Sequence, residues 1–230
     1  MISGLTNDTQ YNVIVRAINA NGVGKWSASV SSTPVVPFRW VATAGSNIEI
    51  TNGGLSARQK FGRQNSVLST RTIGTNQTVM YSVEITAASG NYSGVVIGFG
   101  TTSTNVSEGN GQFGNYIGND AYSFGLAGDG VMYYGGSSQS TGLPTFGALG
   151  DIIDIAIYEG HGWWARVNGG YWNNNSSANP ATNTGGLIGG VLSLVNLYPG
   201  ATPFGLNTEG EITIHTTSTY SIPTGYTLLK

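Results

Sequence analysis

The stretch Gly150-Asp151-Ile152-Ile153-Asp154-Ile155-Ala156-Ile157-Tyr158-Glu159-Gly160-His161-Gly162-Trp163-Trp164-Ala165-Arg166-Val167-Asn168-Gly169-Gly170-Tyr171-Trp172 constrains the fold more than any other. It reads as two strands joined by a short glycine turn, followed by a tight turn at Asn168-Gly169. Side chains alternate along a strand, so Ile153, Ile155 and Ile157 share one face. On the second strand Trp163, Ala165 and Val167 share a face, and Trp164, Arg166 and Asn168 take the other. This hairpin is the expected centre of the core, with Trp163 assigned to it.

The rest of the chain is read as β structure. Candidate strands are Trp40 to Thr43, Ile48 to Thr51, Ser66 to Ile73, Thr78 to Thr86, Ser93 to Gly100, Tyr122 to Leu126, Gly130 to Tyr134, Val191 to Leu197 and Glu211 to Thr216. Glycine-rich turns separate them at a spacing that suits a sandwich or barrel. No apolar pattern of period 3.6 persists for three turns, so no helix is expected. Residues 1–36 stand apart, with strands expected at Tyr11 to Ala17 and Trp26 to Val30 around a turn at Asn19 to Gly24. Thr33-Pro34-Val35-Val36-Pro37 is the linker, because two prolines without a ladder donor suit an extended connector. The division is 1–36 and 37–230.

Composition narrows the function classes. Charged residues make up 9% of the 230, and net charge is −2. The polar surface must therefore come from Ser, Thr, Asn and Gly, as on many secreted, particle-borne and sugar-binding β proteins. The basic cluster of Arg58, Lys60 and Arg63, with Arg71 beyond, does not make the stripe that nucleic acid needs. No window is apolar enough for a membrane span, and Met1-Ile2-Ser3-Gly4-Leu5 does not read as a secretory signal. The chain has no cysteine, which removes disulfides and thiolate metal sites.

Catalytic patterns are weak. Asp151 and Asp154 lie three apart on a strand and so on opposite faces, which prevents an acid–base pair. Asp151 is expected to bind turn donors instead. Glu209 and Glu211 could share a face, as a glycosidase pair would, but a solvated edge is the simpler reading. His161 falls in a glycine turn and His215 in a strand, without a Gly-x-Ser-x-Gly elbow. Asn119-Asp120 and Asp129 could offer oxygens to calcium, but Asx-turns are the commoner reason for such residues in loops. No metal or cofactor is expected. Asn-x-Ser/Thr triplets at Asn7, Asn76, Asn91, Asn105 and Asn175 follow from composition. The binding signal is aromatic and amide-rich: Tyr116, Asn119, Asp120, Tyr122, Tyr171, Trp172 and Asn173, in or beside loops.

Two resemblances add to this. Leu5, Tyr11, Val13, Val15, Ala17, Asn19, Gly22, Gly24 and Ser27 resemble the last third of a fibronectin type III domain, with Tyr11 at the tyrosine-corner position. Asn7 stands where that family commonly has Pro. On this reading Met1 opens a truncated piece of the domain. The second resemblance is to the SPRY (B30.2-like) family. It rests on Tyr122-Ser123-Phe124-Gly125-Leu126, Gly128-Asp129-Gly130, Tyr133-Tyr134-Gly135, Phe146-Gly147, Gly150-Asp151-Ile152-Ile153, Trp164-Ala165-Arg166-Val167-Asn168-Gly169 and Leu197-Tyr198-Pro199. Asn179-Pro180-Ala181-Thr182-Asn183-Thr184-Gly185-Gly186 is similar to a loop of the variant carried by bacteriophage particle and tail proteins. The similarity departs at Tyr158-Glu159-Gly160, where many members have Asp.

These resemblances imply an all-β protein: an antiparallel, SPRY-like (concanavalin-like) sandwich preceded by a fibronectin type III-like hairpin. They imply a non-catalytic recognition module of a virion, in a fibre, tail or capsid-decoration protein. Its partners would be other virion proteins, further copies of itself, or a host surface polysaccharide. A glycan-active hydrolase on a lectin-like sandwich and a SPRY peptide-binding adaptor are the alternatives. The loop after Asn168-Gly169 is expected to project from one end of the sandwich and to carry the recognition surface.

Overall fold

The computed structural model describes residues 3–7, 9–42, 46–59, 65–87, 95–106, 115–187, 194–203 and 210–230. The chain divides into two compact units, Met1–Pro37 and Phe38–Lys230. Glu209, Lys60, Arg63 and Asn91 lie outside the described residues.

The first unit is a β-ribbon. Strands β1 (Tyr11–Val13) and β4 (Val30–Ser32) pair antiparallel, and β2 (Ile18–Asn19) pairs with β3 (Gly22–Val23) at its tip. The expected strands Tyr11 to Ala17 and Trp26 to Val30 are thus corrected to shorter, shifted pieces. Between them the ladder is replaced by isolated bonds, such as Ser27 N to Val15 O at 2.8 Å, while Ser27 Oγ accepts from Val15 N. Val13 lies opposite Val30, and Val15 and Val30 are 64% and 66% exposed, so one ribbon face is apolar and open.

The second unit is a two-layer sandwich. The first sheet contains β5 (Trp40–Val41), β8 (Val67–Ser69), β10 (Val95–Gly100), β11 (Ser123–Ala127), β12 (Met132–Tyr134), β13 (Ser137–Ser140) and β16 (Tyr198–Pro203). Its order is β13-β12-β11-β10-β16-β8-β5. The second sheet contains β6 (Ile48–Thr51), β7 (Ser56–Gln59), β9 (Thr78–Ala87), β14 (Ile152–Tyr158), β15 (Gly162–Val167) and β17 (Gly210–His215), in the order β15-β14-β9-β17-β7-β6. β18 (Thr227–Leu228) runs parallel to β9 beside Val79 and Met80, beyond the point where β17 leaves it at Ser82. Among the described residues every other strand pairing is antiparallel.

Alternation sets the layers. Tyr81, Val83, Ile85, Ile153, Ile155, Ile157, Trp163 and Ala165 of the second sheet meet Val95, Ile97, Phe99, Phe124 and Leu126 of the first. A chain of ring contacts crosses this interior, from Tyr81 to Phe99 at 5.5 Å, Phe99 to Phe124 at 5.1 Å and Phe124 to Trp163 at 5.4 Å. The Tyr81 hydroxyl donates to Gly98 O at 2.7 Å and ties the sheets together. Burial pushes this phenol well above its ordinary range, because no charge is solvated there.

The expected strand Val191 to Leu197 is corrected. Of it only Leu194 to Leu197 is described, and Leu197 makes a single bridge with Ile73. The strand is Tyr198–Pro203, whose prolines read as breakers. They are tolerated because β8 pairs with β16 only at Gly200 and Ala201, so no ladder donor is needed toward β8 at Pro199 or Pro203.

Both sheets are also covered on their outer faces. On the first sheet, Ile117 packs with Val96 and Ala127. The sheet admits this segment because two of its outer positions, Gly125 and Gly200, are glycine. A Cβ on Gly125 would stand 2.7 Å from Ile117 O, and one on Gly200 would stand 2.9 Å from Ile117 Cδ1. On the second sheet, Trp164, Met80, Ala156, Ala178 and Leu228 form a second apolar cluster.

Candidate functional site

The seven aromatic and amide residues singled out from the sequence fall into two groups on different sheets. Tyr116, Asn119, Asp120 and Tyr122 belong to the segment lying on the first sheet. Tyr116 is half-buried, its ring 5.5 Å from that of Tyr133, and burial raises its pKa, with Tyr133 adding to the effect. Asp120 is an Asx-turn residue: Oδ1 accepts from Tyr122 N and Ser123 Oγ, and Oδ2 accepts from Asn105 N at 2.7 Å. Asp129 likewise accepts from Val131 N. Among the described residues no group of three His, Asp or Glu side chains could hold a metal. Asn119 donates to Asn115 Oδ1 at 3.3 Å. Tyr122 is half exposed.

Tyr171, Trp172 and Asn173 follow β15. Their expected projection from the end of the sandwich is corrected for Trp172 and Asn173, because the chain turns back along the sheet after Tyr171. A short 3-10 helix at Trp172–Asn174 places Asn173 against the open edge of β15, where Oδ1 accepts from Ala165 N at 2.8 Å. Its Nδ2 donates to Gly185 O at 2.9 Å, so the side chain is spent on closing an edge strand. Asn173 holds φ 50°, a left-handed conformation that Asn tolerates better than most residues. Trp172 is half-buried against the second apolar cluster. Of the three, only Tyr171 reaches fully into solvent, at 68% exposure.

The Trp172 ring belongs to a stack that the sequence did not disclose. The guanidinium of Arg166 sits 4.3 Å from the Trp172 ring centre and 5.8 Å from that of Tyr220. Its Nε donates to Asp154 Oδ2 at 2.8 Å and its Nη2 donates to Ser221 O at 2.6 Å. Ser82 Oγ in turn donates to Asp154 Oδ1. Alternation places Arg166 and Asp154 on the outer face, and their register pairing brings them side by side. Tyr220 and Ser221 come from the far C-terminal segment, which carries no periodic signal.

Loops 147–151, 168–171 and 220–222 converge here. Asn168 accepts from Ile152 N and donates to Asp151 Oδ1, each at 2.9 Å. As expected, Asp151 also binds turn donors, with Oδ2 accepting from Gly147 N and Ala148 N. Gly169 must be glycine on two grounds: its φ is 72°, and a Cβ would stand 2.6 Å from Tyr220 Cδ1. The named polar side chains of this end are satisfied internally. What it presents outward is Leu149 at 69%, Tyr171 at 68% and Ile222 at 40% exposure.

No protein-family model and no curated protein matches the chain. Solved structures do match. The SPRY domain of human HERC1 superposes with a TM-score of 0.54 at 15% identity, covering 73% of this chain and 91% of that one. A human SPRY domain gives 0.51 at 14% identity, covering 75% and 97%. The Neuralized NHR1 domain of Drosophila melanogaster gives 0.51 at 15% identity, covering 79% and 99%. The larger unit is a SPRY-like β-sandwich.

Proposed function

We propose that this chain is a non-catalytic recognition module of a viral particle protein, and that it docks a neighbouring protein subunit through the Leu149–Tyr171–Ile222 end. The observation that carries the reading is the contrast at that end: exposed apolar and aromatic surface above polar groups already bonded inward. An exposed aromatic anchor on a saturated scaffold suits a protein interface, where such anchors dominate affinity. A sugar would ask for free hydrogen-bonding groups instead. The carboxylates nearest to an acid–base arrangement have structural partners. Asp154 holds Arg166, Asp151 holds its turn, and Glu211 accepts from Thr86 Oγ1 at 2.8 Å.

The particle assignment is supported by the low charge and by the phage-type loop, in which Asn179 Oδ1 caps a 3-10 helix at Pro180–Thr182. The ribbon supports a modular chain. Tyr11 Oη accepts from Thr6 N at 3.0 Å, as a tyrosine corner does, and this bond lowers the phenol's pKa. In this reading the open Val13, Val15 and Val30 face belongs to a fibronectin type III-like sandwich.

The test is co-expression of the tagged chain with the particle proteins encoded beside it. The wild type retains a subunit, and the Leu149→Ser, Tyr171→Ala double variant releases it with an unchanged melting temperature. Retention by the double variant, retention of no subunit by the wild type, or polysaccharide cleavage that depends on Glu211 overturns the proposal.

A further inference from the structure

At the other end of β14 the outer face carries a second aromatic group with different chemistry. The His161 ring stacks on Tyr158 with centroids 3.9 Å apart and planes inclined by 24°. His161 stands between Gly160 and Gly162 in the β14–β15 turn and is exposed, so the stack borders solvent. The turn is braced from three sides. His161 N donates to Tyr158 O at 2.9 Å, Glu159 N donates to Gln77 O at 3.0 Å, and the buried Glu159 carboxylate accepts from Asn76 N at 3.0 Å. Tyr226 lies alongside, its phenol pushed up to about 12 by burial and then by Tyr158, with its hydroxyl on Pro180 O at 3.4 Å.

The polar atoms here are not all used. His161 Nε2 lies 3.3 Å from Asn76 Oδ1. An amide oxygen only accepts, so Nε2 is the donor, and in the neutral ring Nδ1 is left as an acceptor. The Asn76 Nδ2 group keeps its donors. The exposed His161 ring is therefore bordered by an amide donor. We infer that the Tyr158–His161 stack with Asn76 is a binding site for a neutral saccharide, the C–H face of a pyranose lying on the His161 ring and a hydroxyl at its rim reaching Asn76 Nδ2.

Other stacking ligands fit less well. A nucleotide would need its phosphate neutralised, and segments 74–78, 158–162, 180–187 and 223–226 carry no Lys or Arg. The buried Glu159 carboxylate further disfavours an anion. This site is separate from the Tyr171 end and stands or falls independently of it.

The experiment is saturation-transfer NMR of the full chain. The probes are neutral disaccharides built on glucose, galactose, mannose and N-acetylhexosamines, with adenosine monophosphate alongside. At least one sugar receives saturation and shifts the His161 ring resonances. His161→Ala and Asn76→Gly (the latter keeping the left-handed backbone, φ 60°) weaken binding about tenfold or more. His161→Phe, which retains a ring face, loses less than His161→Ala, and Ser138→Ala on the distant β13 changes nothing. Melting temperatures show that the variants are folded. The inference is overturned if no sugar shifts His161, if His161→Ala binds as well as the wild type, or if adenosine monophosphate binds in preference.

Discussion

Arg166 and Asp154 form an ion pair at 2.8 Å on the outer face of the second sheet, with side-chain exposures of 7% and 1%. Two charges are out of water there, and each is held by further bonds, to Ser221 O on one side and from Ser82 Oγ on the other. A buried pair of this kind adds little net stability over an apolar pair of equal size, but it is costly to break. Asp154→Asn is therefore expected to destabilise the sandwich by about 3–5 kcal/mol, because Arg166 is left buried without a counter-charge. Urea unfolding measures this. A loss near zero would mean that the guanidinium reaches water in the variant.

The Tyr81–Gly98 bond crosses the core, so Tyr81→Phe is expected to cost about 1 kcal/mol in the same experiment. Phenols also fix the alkaline behaviour. Tyr81 and Tyr226 both have folded-state pKa values raised above that of the unfolded chain, chiefly by burial. Their neutral forms favour the folded state, so this stability is complete below the unfolded value and is lost as pH rises toward the folded one. For Tyr226 the window runs from about 10 to about 12. Melting temperature should fall across it in the wild type and less steeply in Tyr226→Phe. Equal slopes would place the alkaline loss elsewhere.

The core was legible where alternation is long. Ile153, Ile155, Ile157 and Trp163 face inward as the hairpin's pattern requires. The opposite face was not, because Trp164 is as deeply buried as Trp163 through covering by segments with no period of their own. Ser137–Ser140 is an exposed polar edge strand, and Tyr198–Pro203 contains prolines, so neither carries the apolar signature of a strand. The candidate residues stand out in the sequence by type and by loop position. Type does not reveal that Asn173 seals a strand edge, or that His161 finds Asn76 eighty-five positions away.

Gly98 marks how closely β10 and β11 approach. A Cβ there would stand 2.1 Å from Phe124 O and 2.6 Å from Gly125 Cα, and both are backbone atoms that cannot turn aside. Gly98→Ala must separate the strands, with an expected loss of about 3 kcal/mol or more. Hydrogen exchange should then report opening of the β10–β11 amides before those of β14–β15. Simultaneous opening of both pairs would show that the first sheet has no separate weak point.

Tyr171 and Trp172 are neighbours with opposite roles, and substituting each separates docking from folding. Trp172 lies on Arg166 at 4.3 Å and packs on the Trp164 cluster, so Trp172→Ala removes a cation–π contact together with apolar burial. About 2 kcal/mol of stability is expected to go with it. Tyr171 is 68% exposed and has no such contacts, so Tyr171→Ala should change stability by less than about 0.5 kcal/mol. Subunit retention should respond in the reverse order under conditions where both variants are folded, with the larger loss in Tyr171→Ala. If retention instead tracks unfolding free energy across the two variants, the exposed ring is not the anchor, and the end of the sandwich serves only to hold Arg166 in place.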